Sequence, residues 1–181
     1  MEYLADTNVL LRSTRQTHPM HRIAMAAVTT LLRSGDRVCV TPQNIIEFWN
    51  VCTRPEDRNG LGLTPDEADR EASRLEALLT LLPGVPAIYP EWRRLVVTHS
   101  VSGVQVHDAR IVAAMNVYGM SNLLTFNGAD FTRYPGIHVV HPNDARNRRI
   151  CRILNRRATR SLSVNMYRLP TQTNEYQIGT T

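Results

Sequence analysis

Apolar positions along most of this chain follow two alternating rhythms, one of short continuous runs and one recurring every three to four residues. The short runs at Leu4–Asp6, Arg37–Val40, Val85–Ile88, Asn122–Thr125 and Ile137–Val140 read as strands. Between them, His21–Arg33 carries Ile23, Ala26, Ala27, Thr30 and Leu31 as an apolar stripe, and Gly35 is a natural helix stop. Thr41-Pro42 supplies a cap and a proline for a helix running to about Thr53. Ile45, Phe48, Trp49 and Cys52 form its buried face, while Gln43, Glu47, Asn50 and Arg54 share a polar one. Thr64 and Glu67, in capping-box spacing, open a helix that continues to about Leu82. Helices over Pro90–Ser100 and His107–Tyr118 complete the pattern, and Arg54–Gly62 is a loop rich in Pro, Gly and charge. Strands alternating with helices predict an α/β domain, a central parallel sheet of about five strands with helices on both faces.

The rhythm decays after residue 144, dividing the chain into a folded domain, 1–144, and an Arg-rich C-terminal extension, 145–181. Asp144–Arg160 is compatible with a basic helix, with Ile150, Ile153 and Leu154 on one side, and Ser161–Thr181 is expected to be at least partly disordered. This division changes what the net charge of +5 means. All 21 basic residues are Arg, and eight of them lie in 145–181 against one acid, Glu175. The extension therefore carries +7, and residues 1–144, with 13 Arg and 15 acids, carry −2. The basic balance belongs to the extension and does not by itself make the folded part a nucleic-acid binder. The extension suits either added RNA affinity through phosphate contacts or a plain solvated charge run, since no aromatic residue is interleaved before Tyr167. No run approaches the roughly 18 apolar residues of a membrane span, and no signal-peptide pattern is evident. Cys39, Cys52 and Cys151 have no ligand-like spacing. A cytoplasmic protein with no membrane partner is expected.

Candidate chemistry resides in four carboxylates. Asp6 ends the first apolar run, the strand-end position where open α/β sheets place ligands. Glu47 lies on the polar face of its helix, for which solvation is the ordinary explanation. Asp108 sits in the first turn of its helix, where the dipole favours an anion. It also shares a face with Ile111, Val112 and Met115, where a charge is costly unless paired or bound to metal. Asp130 follows the fourth strand, with Thr125 and Asn127 able to face the same edge and Phe131 anchoring the loop; an ordinary Asn-Gly turn would look similar. In a parallel sheet all four acids fall at the carboxyl ends of the strands. Clustered carboxylates repel unless divalent cations neutralise them, and hard oxygen ligands suit Mg²⁺ or Mn²⁺. An ion so held suits phosphodiester hydrolysis, activating water and stabilising phosphate charge.

These residues resemble a known family. Asp6-Thr7-Asn8-Val9-Leu10-Leu11 is similar to the opening motif of PIN-domain ribonucleases, specifically VapC-type toxins of bacterial toxin–antitoxin pairs. Asn44-Ile45-Ile46-Glu47-Phe48-Trp49 resembles their second acidic motif, and Val106-His107-Asp108-Ala109-Arg110-Ile111-Val112-Ala113 their third. Leu124-Thr125-Phe126-Asn127-Gly128-Ala129-Asp130-Phe131, followed by Pro135-Gly136-Ile137, is similar to the last. The resemblance covers about residues 1–142. It implies a three-layer α/β/α fold and a Mg²⁺-dependent endoribonuclease, usually a homodimer neutralised by a cognate antitoxin. By it, Asp6, Glu47 and Asp108 match the core acidic ligands, and Asp130 or Asn127 takes the fourth position. Thr7 and Asn8 match residues that orient the first carboxylate or the attacking water. The extension departs from the family.

Other readings stay open beside it. A catalytically silent PIN-like module binding RNA or a protein partner would carry the same motifs. An aspartate-based phosphohydrolase would use Asp6 as nucleophile, but that pattern needs a second Asp two residues on, where this chain has Asn8. His107 suits a catalytic base or a structural role, and Arg110 a phosphate contact or a surface ion pair. His138 and His141 are three apart on a strand, a spacing that does not put them on one face.

Overall fold

The computed structural model describes residues 1–145. The readings of the 145–181 extension therefore lie outside the described residues beyond Ala145. The strands are β1 (Glu2–Ala5), β2 (Arg37–Val40), β3 (Thr80–Leu81), β4 (Asn122–Leu124) and β5 (His138–Val140). The α-helices are α1 (Thr7–Thr14), α2 (His21–Arg33), α3 (Pro42–Thr53), α4 (Pro65–Leu78), α5 (Ile88–Thr98) and α6 (Val106–Val117). All five strands run parallel in the order β3-β2-β1-β4-β5.

Alternation along the strands divides the core between the two faces of the sheet. Tyr3, Ala5, Val38, Val40 and Leu124 pack with α1, α2, α3 and α4 residues such as Val9, Ala27, Phe48 and Leu75. Leu4, Cys39 and Leu123 point the other way, against Leu95 of α5 and Ile111, Val112 and Met115 of α6. The three-layer α/β/α architecture follows directly, and shaving fully buried Phe48 to Ala would cost about 3–5 kcal/mol. Cys39 and Cys52 are buried free thiols. No helix among the described residues is long and apolar enough to cross a membrane.

Two expectations need correction. The third strand is not Val85–Ile88 but Thr80–Leu81, taken from the end of the helix expected to reach Leu82. Helix α4 stops at Leu78, after which Cys39 pairs with Thr80, Val40 with Leu81, and the Leu82 N–H donates to the Val40 carbonyl at 2.8 Å. Val85 lies between Pro83 and Pro86, which lack N–H donors for a ladder, and Ile88 N–H turns back to the Val85 carbonyl at 3.1 Å to open α5. The second correction is α1, an eight-residue helix beginning immediately after Asp6 that the periodicity did not reveal.

The strand order matters for function. The chain moves outward from β1 to β2 and β3, then crosses to the other side of β1 for β4 and β5. The order reverses between β1 and β4, and ligands of open α/β sheets bind at the carboxyl ends of such a pair. Asp6 follows β1 and Thr125 follows β4 there, and the Asp6 N–H donates to the Leu124 carbonyl at 2.9 Å.

Candidate metal centre

Asp6 is built into this edge by its neighbours. It N-caps α1, its side chain accepting the Asn8 N–H at 3.5 Å. Its Oδ2 accepts the Asn8 side-chain amide and the Thr125 hydroxyl, each at 2.6 Å. Asn8 Nδ2 also donates to Thr125 Oγ1 at 3.0 Å, and Asn8 Oδ1 accepts the Phe126 N–H at 3.2 Å. Asn8 and Thr125 thus fasten the end of β1 to the end of β4. Burial pushes the Asp6 carboxyl up, and Glu47 adds to this, while the bonds from Thr125, Asn8 and Thr7 pull it back only partly.

Glu47 is gripped from a second helix. The Thr7 hydroxyl donates to its Oε2 at 2.8 Å and the Gln43 amide to its Oε1 at 2.7 Å. Thr41 and Asn44 form a capping box at the start of α3, and Asn44 Nδ2 reaches across to Thr7 Oγ1 at 3.2 Å. Gln43 Nε2 also donates to the His107 carbonyl at 2.9 Å, and Arg110 Nη1 to Gln43 Oε1 at 3.0 Å. This polar chain ties α1, α3 and α6 together beneath the carboxylates. Asn44 is buried, and so is Gln43, which makes the face of α3 expected to be solvated in part an internal seam.

Asp108, in the first turn of α6, is half-buried. Its carboxyl is pushed up to about 6, first by burial and then by the charges of Asp6, Asp130 and Glu47, with His107 pulling weakly the other way. The other three expected acids therefore all act electrostatically on Asp108, and Glu47 acts also on Asp6. Asp130 sits in a short 3₁₀ turn, Gly128–Phe131, whose Phe131 is buried as expected. Asn127 is exposed; its backbone N–H donates to Thr125 Oγ1 at 3.0 Å. His107 is exposed, with Nδ1 3.4 Å from Glu47 Oε1. His138 is exposed on β5, while His141 packs edge-on against Phe126 with ring centroids 5.3 Å apart.

The donor set is all oxygen, anionic and mutually repelling, which is the chemistry a divalent hard cation satisfies. Among the described residues no three His, Cys, Asp or Glu side chains are grouped to hold an ion by themselves. The fit is therefore to an ion that retains several waters and takes one or two carboxylates plus a substrate phosphate, the habit of Mg²⁺.

Sequence reasoning missed Gln43 and Asn44 as parts of the site. Asn44 had a legible signal, the Thr41 cap three residues before it; Gln43 had a partial one, its place four residues before Glu47 on the same helix face, while its other partners, the His107 carbonyl and Arg110, are distant in sequence.

Comparison with known proteins gives a consistent result. The family model described as PIN domain matches residues 3–137. No curated protein matches the chain. Among solved structures, VapBC2 from Rickettsia felis bound to a DNA fragment from its promoter is 12% identical with a TM-score of 0.60, covering 78% of this chain and 98% of that one. VapBC-1 from nontypeable Haemophilus influenzae is 15% identical with a TM-score of 0.59 and the same coverages. VapC20 from Mycobacterium tuberculosis, a sarcin–ricin-loop-cleaving toxin, is 18% identical with a TM-score of 0.53, covering 71% of this chain and 92% of that one. At these identities the likeness speaks to the fold.

Proposed function

This chain belongs to the PIN-domain family, and on that premise we propose that it is a Mg²⁺-dependent endoribonuclease, the toxin of a toxin–antitoxin pair. The observation carrying the proposal is the convergence of Asp6, Glu47 and Asp130 on Asp108 at the carboxyl edge, where burial first and their charges second push the Asp108 carboxyl up to about 6. A carboxylate held up by burial and by three neighbouring acids is not part of a solvated surface. Of Asp6, Asp108, Glu47 and Asp130, one or two would hold the ion directly and the others through its waters, with Mn²⁺ as a substitute. When bound, it would lower the pKa of water and neutralise charge developing on the scissile phosphate.

The chain's own residues supply the rest. Thr125 and Asn8 fix the Asp6 carboxylate so that one edge of it is committed to the protein. Thr7 and Gln43 orient Glu47. Asp108, without a side-chain hydrogen bond among the described residues, is the carboxylate best placed to change its protonation or ligation during turnover. A VapB-like antitoxin is the proposed protein partner, by likeness to the solved VapBC complexes, and a homodimer and a cytoplasmic location are proposed with it.

The test is cleavage of single-stranded RNA by the full chain with Mg²⁺ and with chelator. Cleavage is expected only with the metal, and Asp6→Asn or Asp108→Asn should each abolish it while the fold survives. Full Mg²⁺-dependent cleavage by either variant would refute the assignment. A silent binding module is the second reading, favoured by the lack of three described side chains grouped directly around one ion; it requires RNA to bind yet stay intact under Mg²⁺ and Mn²⁺.

A further inference from the structure

The loop Arg54–Gly62 and helix α1 meet at a cavity beside the carboxylates that the proposed hydrolysis does not use. Its volume is about 240 Å³, and Asn8, Arg12, Arg15, His18, Arg54 and Asn59 supply its polar lining. No Asp or Glu lines it. Three Arg and a His thus face one space in a domain whose residues 1–144 carry a net −2. Burial, Arg12, Arg15 and His21 together hold His18 below the usual histidine range.

The cavity and the carboxylate site share a wall. Asn8 lines the cavity and also donates to Asp6 Oδ2. The Arg12 guanidinium lies 4.2 Å from the ring centre of Phe126, the residue whose N–H donates to Asn8. Arg12 Nη1 is buried with no hydrogen-bond partner among the described residues, so a guanidinium donor is left without an acceptor.

The opposite wall is rigidly built. Backbone bonds from Gly60 to Pro55, Leu61 to Val51, Gly62 to Arg54 and Leu63 to Cys52 tie the loop back onto the end of α3. A Cβ at Gly60 would lie 1.9 Å from the Arg54 carbonyl oxygen, so only glycine permits this closure. Asn59 takes a left-handed conformation, φ 60°, to enter it.

We propose that this cavity is a phosphate subsite that takes a backbone phosphate of single-stranded RNA next to the phosphodiester presented to the carboxylates. This subsite rests on the proposed function, in which RNA is the polymer bound at those carboxylates. Four acids repel a polyanion, so the strand needs a cationic grip close by. Guanidinium forks suit phosphate oxygens in shape and charge. Arg12, Arg15 and Arg54 bring three guanidinium groups to the cavity, and Asn8 sets the subsite and Asp6 in fixed relation.

The test uses the full chain carrying Asp108→Asn, in chelator, binding a labelled single-stranded RNA across a salt series. Arg15→Gln and Arg54→Gln should each weaken binding about tenfold and lower the slope of log affinity against log salt by about 0.7 for each phosphate that is no longer neutralised. Arg93→Gln, an exposed arginine on α5, should do neither. Replacing single RNA phosphates by uncharged methylphosphonates should locate one position whose loss weakens the parent but not Arg54→Gln further. Equal effects from Arg93→Gln, or unchanged slopes in both cavity variants, would overturn the subsite. If the cavity variants lose affinity but the active chain leaves RNA intact under Mg²⁺, the ribonuclease reading fails and the subsite stands. If RNA is cleaved and the cavity variants bind as the parent does, the reverse holds.

Discussion

Asp6 and Glu47 are each gripped by protein donors, whereas Asp108 and Asp130 have no side-chain hydrogen bond among the described residues. The first two belong to the β1–α1 corner and to α3, where Asn8, Thr125, Thr7 and Gln43 stand ready. The other two stand at the start of α6 and in the turn after β4, half-buried among like charges. Donors offset the desolvation of the first pair, at a fixed geometry. For the second pair only water or a cation can do so. One half of the candidate site is a preorganised frame, and the other half is the part that a ligand would complete under the proposed function.

The largest effect expected from this contrast is a split in stability between two alanine variants that the proposed function expects to be equally inactive. Asp6→Ala removes the α1 cap and leaves Asn8 and Thr125 without their acceptor, which should cost about 2–3 kcal/mol. Asp108→Ala removes a charge that its neighbours disfavour and should stay within about 1 kcal/mol of the parent, or gain slightly. Urea unfolding of the full chain in chelator reads both. Equal losses would break the contrast.

A smaller effect sharpens it. Thr125→Val keeps shape but deletes the hydroxyl that donates to Asp6 Oδ2 and accepts from Asn8 Nδ2 and the Asn127 N–H. Stability should fall by about 1–2 kcal/mol. Metal-dependent RNA cleavage should fall by about 10–100-fold, the usual effect of losing a partner that orients a ligand. Cleavage at the parent rate with stability lowered would show that the frame serves folding alone.

The contrast also explains what the sequence could reveal. Asp6 and Asp108 were legible because each interrupts an apolar pattern, and burial of Tyr3, Leu4, Ile111 and Val112 bears those patterns out. The α/β layering was legible because period 2 and period 3.6 report burial directly. What periodicity does not report is which donor a buried polar group meets. Gln43 sat on a face that looked solvated, yet it is buried because Glu47, the His107 carbonyl and Arg110 converge on it from α3 and α6. Strand β3 escaped for the opposite reason. Thr80 and Leu81 are exposed at the sheet edge and are a strand only because Cys39 and Val40 pair with them, while Val85–Ile88 had the composition of a strand without free N–H groups at Pro83 and Pro86.

The smallest effect is also the most discriminating, since it asks which half of the site feels the ion. With the folded Asp108 carboxyl at about 6 and an unfolded value near 3.9, the native state binds the proton more tightly. Stability in chelator should therefore fall as pH rises from about 4 to about 6 and stay lower above, with Asp6, also raised, adding in the same direction. Solvent screening of the half-exposed Asp108 limits its share to about 1 kcal/mol, a few degrees of melting temperature. Mg²⁺ favours the ionised form, so it should restore those degrees at about pH 7.5 and do little at about pH 4.5. Asp108→Asn should flatten the pH dependence and remove most of the Mg²⁺ effect, whereas Glu47→Gln, altering a carboxylate already held by Thr7 and Gln43, should keep more of it. If Glu47→Gln abolishes the Mg²⁺ effect and Asp108→Asn preserves it, the ion resides on the gripped side, and the division into frame and ligand-completed half is the wrong way round.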